Sequence, residues 1–111
     1  MQLSFVETSL FTEMASDLTD DELRAAQDAL RSNPEAGRLI PGTGGARKLR
    51  VGAKGKGKRG GARVIYYYAP SASRIYLFVA YQKGEADTLT EAGKRIIRAG
   101  IALIQEEHRH G

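Results

Sequence analysis

Apolar and polar positions along this chain change period several times, and each change marks an element. In "MQLSFVET" Leu3 and Phe5 fall on one face, the alternation of a short strand. "SLFTEMASDL" (residues 9–18) then places Leu10, Phe11, Met14 and Leu18 at helical spacing. "TDDELRAAQDALRSNP" is the clearest helix, with Leu23, Ala26 and Leu30 as a narrow apolar stripe. Thr19 and Glu22 have capping-box spacing at its start, and Asn33-Pro34 ends it, because proline disfavours helical geometry in the residue before it. After the break "PEAGRLIPGTGG", "ARKLRV" alternates as a strand. Leu49 and Val51 share a face with Arg47, and Lys48 and Arg50 point the other way. "ARVIYYYA" and "RIYLFVAY" are apolar on both faces, as central strands are, and "PSAS" between them reads as a hairpin turn. Residues 90–109 return to helical spacing, with Leu89, Gly93, Ile96, Ile97, Gly100, Leu103 and Ile104 on the apolar side.

The expected order is therefore β-α-α-β-β-β-α. It predicts an α+β fold with a small, mainly antiparallel sheet, two N-terminal helices and a C-terminal helix packed on it, the helices mainly on one face. The 111 residues fit one domain spanning 1–111. No cysteine is present, so disulfides and thiolate metal sites are excluded, in keeping with a cytoplasmic location. No run of 18 apolar residues occurs, so no membrane partner is expected. The N-terminus lacks a basic leader and carries Glu7, unlike a signal peptide.

Charge changes the picture more than composition does. The net charge of +4 conceals segregation. Residues 1–37 hold eight acids and two bases, whereas residues 38–68 hold nine bases and no acid. A chain so divided addresses something with its basic face.

Several chemistries are excluded or weakened. The two histidines, His108 and His110, lie in the last four residues, where a frayed charged tail is the plain reading. A metal pair there lacks an evident third ligand, so no metal and no cofactor is expected. The acids cluster on the N-terminal helices, where a solvated face explains them. Triad or two-carboxylate hydrolysis is thereby disfavoured. "GTGGAR" is not a Walker loop, and "GKGKRG" precedes a strand instead of a helix, against a dinucleotide fold.

What remains is the cluster Arg47, Lys48, Arg50, Lys54, Lys56, Lys58, Arg59 and Arg63. A solubilising loop is one reading. Against it, solvated loops mix signs, and a one-signed cluster repels itself unless an anion neutralises it. A polyphosphate backbone is the natural anion. Tyr66, Tyr67, Tyr68, Tyr76 and Tyr81 lie on neighbouring strands. Most of them are expected in the core, and any that face the basic surface can stack on bases. The loop thus reads as a cationic clamp beside a sheet, suited to RNA.

"LIPGTGGARKLRVGAKGKGKRGGARVIYYY" followed by "IYLFVAYQKGEADTLT" resembles the HigB-like branch of the RelE superfamily of bacterial toxins. That branch has a Gly-Thr-Gly-Gly-x-Arg-Lys motif, a Gly-Lys-Gly-Lys stretch, Gly-Gly-x-Arg-x-Ile-Tyr-Tyr, and Tyr-x-Lys-Asn-Glu. The match is close over residues 39–68 and 75–90 and looser in the helices. The resemblance implies a RelE-like fold and a toxin of a type II toxin–antitoxin pair. Such proteins are mRNA interferases: they cleave mRNA on the ribosome and inhibit translation. They are silenced by a cognate antitoxin, often with a helix-turn-helix DNA-binding domain. It implies that Arg63 contacts the scissile phosphate and that Lys83 is the motif lysine. Lys48 and Arg50 fall where relatives keep basic residues on the second strand. Gly84 stands where that branch has asparagine, which leaves the fourth-strand contribution open.

RNA carries its own nucleophile, the 2′-hydroxyl, so an enzyme mainly orients it and stabilises charge on the phosphorane. Arg63 is expected to stabilise that charge, and Lys58 and Lys83 to transfer protons, all without metal. Lys54, Lys56 and Lys58 crowd one another, the condition that lowers an ammonium pKa from ~10.4. Arg47, Lys48, Arg50, Lys54, Lys56, Arg59 and Tyr81 are the expected RNA contacts. The alternative is a non-catalytic RNA-binding or regulatory module on the same fold.

Overall fold

A computed structural model describes residues 2–14, 18–53, 57–82 and 89–110. It is an α+β architecture with the order β1 (Ser4–Glu7), α1 (Ser9–Met14), α2 (Asp20–Ser32), β2 (Arg38–Leu39), β3 (Arg47–Ala53), β4 (Gly57–Ala69), β5 (Arg74–Gln82) and α3 (Glu91–His110). The sheet order is β1-β5-β4-β3-β2, with β1 parallel to β5 and every other pair antiparallel.

The helices cover both faces, not mainly one. Leu49, Val51, Val64, Tyr66, Ile75 and Leu77 face Phe11, Ala26 and Leu30, and Leu23 of α2 packs on the same cluster. Ile65, Tyr76, Phe78 and Val79 face Ile97, Ile101 and Ile104 of α3. The reason is legible in β4 and β5: strands apolar on both sides require a cover on both. No helix among the described residues is long and apolar enough to cross a membrane.

The capping box forms as expected, with Glu22 N–H donating to Thr19 Oγ1 at 3.1 Å and Thr19 N–H to Glu22 Oε1 at 3.0 Å. Glu22 is nevertheless buried, so a solvated face does not explain this acid. The same Oε1 accepts from Gln82 Nε2 at 3.0 Å, which ties α2 to the end of β5.

Other expectations move. Helix α1 spans Ser9–Met14, and Leu18, after residues outside the description, is partly buried against the core. "PSAS" forms a 3-10 turn with Ser73 left-handed (φ 49°). Strand β2 has two residues, too few for a periodic signal. Ile96 and Leu103, expected on the apolar side of α3, are exposed. The tail is helical through His110, and His108 Nε2 lies 3.3 Å from Tyr76 Oη. "GTGG" is a structural corner. Gly42, Gly44 and Gly45 have positive φ, and the buried Thr43 hydroxyl donates to Ile40 O at 2.7 Å while accepting from Ala46 N–H at 3.0 Å.

Tyr66 is fully buried and anchors the 34–37 turn. Its hydroxyl donates to Pro34 O at 2.7 Å and accepts from Gly37 N–H at 2.9 Å. Burial pushes its pKa above 10.0, against the Gly37 hydrogen bond and the Arg47 charge, which lower it.

Candidate nucleic-acid interface

Strand register assembles the site. Arg50 pairs with Arg63 across β3 and β4, and Arg63 pairs with Tyr81 across β4 and β5. Directly paired residues share a face, so Arg50, Arg63 and Tyr81 form one cross-strand row. Two positions along, Lys48, Ile65 and Val79 form the next row on that face. Helix α3 packs on Ile65, Phe78 and Val79 and runs on toward Tyr67 and Tyr76. The arginine row therefore lies toward the hairpin tip from the rows α3 covers.

The hairpin is longer than its apolar pattern. Strand β4 begins at Gly57, five residues before the predicted start, and the register with β3 shifts between Val51 and Ala53. Ala62 pairs with Val51 but Gly57 with Ala53, so β4 accommodates three extra residues there. Gly61 has φ 91°, the conformation that such a bulge needs. Beyond Lys48, no described strand pairs with the outer edge of β3, so Arg50 lies on the outermost described strand at that level.

The electrostatics of the row are unusual. Arg50 is exposed and Lys48 half-buried, whereas Arg63 is 8% exposed. Arg63 Nη1 donates to Ala62 O at 3.3 Å. Among the described residues no carboxylate lies within 4.0 Å of Lys48, Arg50 or Arg63. Like charges directly opposite each other on paired strands are destabilising, and an anion that bridges them relieves this. A phosphate suits this, since each planar fork presents paired donors.

Arg47 is not part of the row. It points to the opposite face, where Nη1 donates to Gly37 O at 2.8 Å and Glu35 O at 3.1 Å, and Nη2 meets Glu35 Oε2 at 3.4 Å. Its role is to hold the 35–37 turn against β3. Tyr81 does join the row, with 6% of its surface exposed. That burial leaves little ring face for base stacking. Lys54, Lys56 and Lys83 lie outside the described residues, as do the side chains of Lys58 and Arg59. No group of metal-ligating side chains occurs among the described residues.

Sequence reasoning missed the link from Glu22 to Gln82, the residue before Lys83. The capping box marks Glu22, but only the fold brings β5 beside it. No protein-family model matches the chain.

Proposed function

We propose that this protein is an RNA endonuclease of the RelE-like, HigB-like kind: a toxin that cuts mRNA on the ribosome and is held inactive by a cognate antitoxin. The carrying observation is the row Arg50–Arg63–Tyr81, two facing arginines without a carboxylate partner among the described residues. The mixed sheet with its long cationic hairpin is compatible with a RelE-like fold.

In this reading Lys48 and Arg50 hold the RNA backbone at the sheet edge. Arg63, poorly solvated, stabilises the phosphorane, because a charge in a low-dielectric setting acts more strongly than one in water. The substrate 2′-hydroxyl attacks the adjacent phosphorus and the 5′-oxygen of the next nucleotide leaves. Lys58 and Lys83 are the proposed proton acceptor and donor. An antitoxin covering the basic face or blocking ribosome docking requires an interface of roughly 1,000 Å² or more.

The burial of Arg63 favours a second reading, an RNA-binding module in which Lys48 and Arg50 hold RNA and Arg63 only supports the sheet. One experiment separates the two. Programmed ribosomes are incubated with the protein and the fragments' ends are identified. The endonuclease reading expects a 2′,3′-cyclic phosphate or 3′-phosphate, a 5′-hydroxyl, full activity in chelator, and none with a 2′-deoxy nucleotide at the cut. Arg63→Ala should slow cleavage by about 10²–10³ while RNA association persists. Binding without cleavage by the wild type selects the second reading, and a 5′-phosphate product overturns the mechanism.

A further inference from the structure

Helix α3 carries a second apolar face. Ile97, Ile101 and Ile104 are buried against the sheet. At 100° per residue, Ala92, Ile96, Ala99 and Leu103 fall on the opposite side. All four are exposed, Ile96 at 54% and Leu103 at 68%. A single exposed apolar residue such as Leu39 calls for no explanation. Here the spacing is four, three, four, the seam of a helix pair, and large residues alternate with alanine so that two such seams interdigitate.

The charges beside the seam point to its occupant. Lys94, Arg95 and Arg98 lie in the N-terminal half of α3, and Glu106 and Glu107 in the C-terminal half. Lys94 is paired with Glu91 and Arg98 lies 3.5 Å from Gly42 O, whereas Arg95 is exposed. Glu106 meets Arg109 at 3.4 Å with about half its side chain still exposed. A parallel copy of α3 sets Arg95 against Arg95. An antiparallel copy centred near Ile101 sets Leu103 over Ala99 of the second copy. It also brings Arg95 beside Glu106 of that copy, each contact occurring twice.

We propose that the outward face of α3 pairs antiparallel with α3 of a second copy of this chain, through the Ile96–Ala99–Leu103 seam with Arg95 and Glu106 at its flank. Two large side chains per copy make a small interface, so the dimer is weak, with Kd on the order of 10–100 µM. The seam points away from the sheet, so the pairing is independent of the arginine row and of the RNA reading.

Sedimentation equilibrium of the full chain from about 1 µM to 1 mM tests it. The mass should rise from 12.1 kDa toward twice that value. Ile96→Glu with Leu103→Glu should remain monomeric with an unchanged circular dichroism spectrum. Arg95→Glu should weaken association roughly fivefold or more, and adding Glu106→Arg should restore it. A wild type that stays monomeric throughout overturns the proposal, including one that associates only with an added acidic helix. So does a dimer indifferent to Ile96 and Leu103, or one that the double charge reversal fails to recover.

Discussion

Arg63 and Tyr66 lie on the same strand and answer to different needs. Arg63 is placed beside a like charge, so its position is costly to the free protein. Replacing its neighbour exposes this. Arg50→Gln removes the facing charge, and thermal unfolding should show stability unchanged or raised by up to about 1 kcal/mol, while RNA affinity falls. A clear loss of stability counts against the like-charge account. Tyr66 is the reverse case, with each polar contact satisfied. Its pKa is raised by burial, so the folded state holds the phenol neutral above the pH at which the unfolded chain ionises. Its contribution is complete below about pH 10 and is lost as pH rises through the folded value. Urea titrations from pH 8 to beyond pH 11 should show the wild type losing stability at the alkaline end. Tyr66→Phe should start about 1–2 kcal/mol less stable and show a flatter alkaline limb. Parallel limbs place the titration elsewhere.

At the scale of elements, local signals hold where one element satisfies its own polar groups. The α2 capping box is such a case, since its two hydrogen bonds join Thr19 and Glu22 within one turn. Thr19→Ala should cost about 1 kcal/mol in urea unfolding. The substitution removes only the acceptor of the Glu22 backbone N–H, and the Glu22 carboxylate keeps the backbone N–H of residue 19 and Gln82 as donors. A loss well above about 2 kcal/mol therefore counts against a purely local cap. The β3–β4 hairpin shows the opposite. Its cationic, glycine-rich part reads as a loop because it lacks apolar periodicity, yet pairing carries β4 back to Gly57. Cross-strand hydrogen bonds do not require apolar side chains, so periodicity cannot locate such a strand end.

Across the whole molecule, folding keeps part of the charge segregation among the described residues. The acidic N-terminal segment supplies α2 on one face of the sheet, and Lys48, Arg50 and Arg63 lie on the other. An RNA bound there releases counterions, so affinity falls with salt. Neutralising Lys48 and Arg50 together, each to Gln, should flatten the slope of log K against log salt by about 1.4, near 0.7 for each single-strand phosphate contact. An unchanged slope places the RNA elsewhere. Arg47→Gln belongs to the same charge run, and it should leave that slope alone while lowering stability, because its guanidinium is bound to Glu35 and Gly37.

The amino-acid order by itself determined what depends on neighbours a few residues apart. It set the α2 cap and stop, the alternation that turns Lys48 and Arg50 away from Leu49, the two-faced strands that demand cover on both sides, and the one-signed block from 38 to 68. Arg63, the arginine that resemblance singled out, and Lys48, Arg50 and Tyr81 were each legible as candidates, but not as neighbours in one row. Tertiary structure alone decided which cations meet. Register set Arg63 between Arg50 and Tyr81 and gave Arg47 a carboxylate on the far face, though Arg47 and Lys48 are adjacent in sequence. It buried Glu22, which its polarity places outside, and exposed Ile96 and Leu103, which their apolarity places inside. The physical reason is common to all four. Period fixes the angle at which a side chain leaves its element, but only the packed neighbours decide whether protein or water lies at that angle.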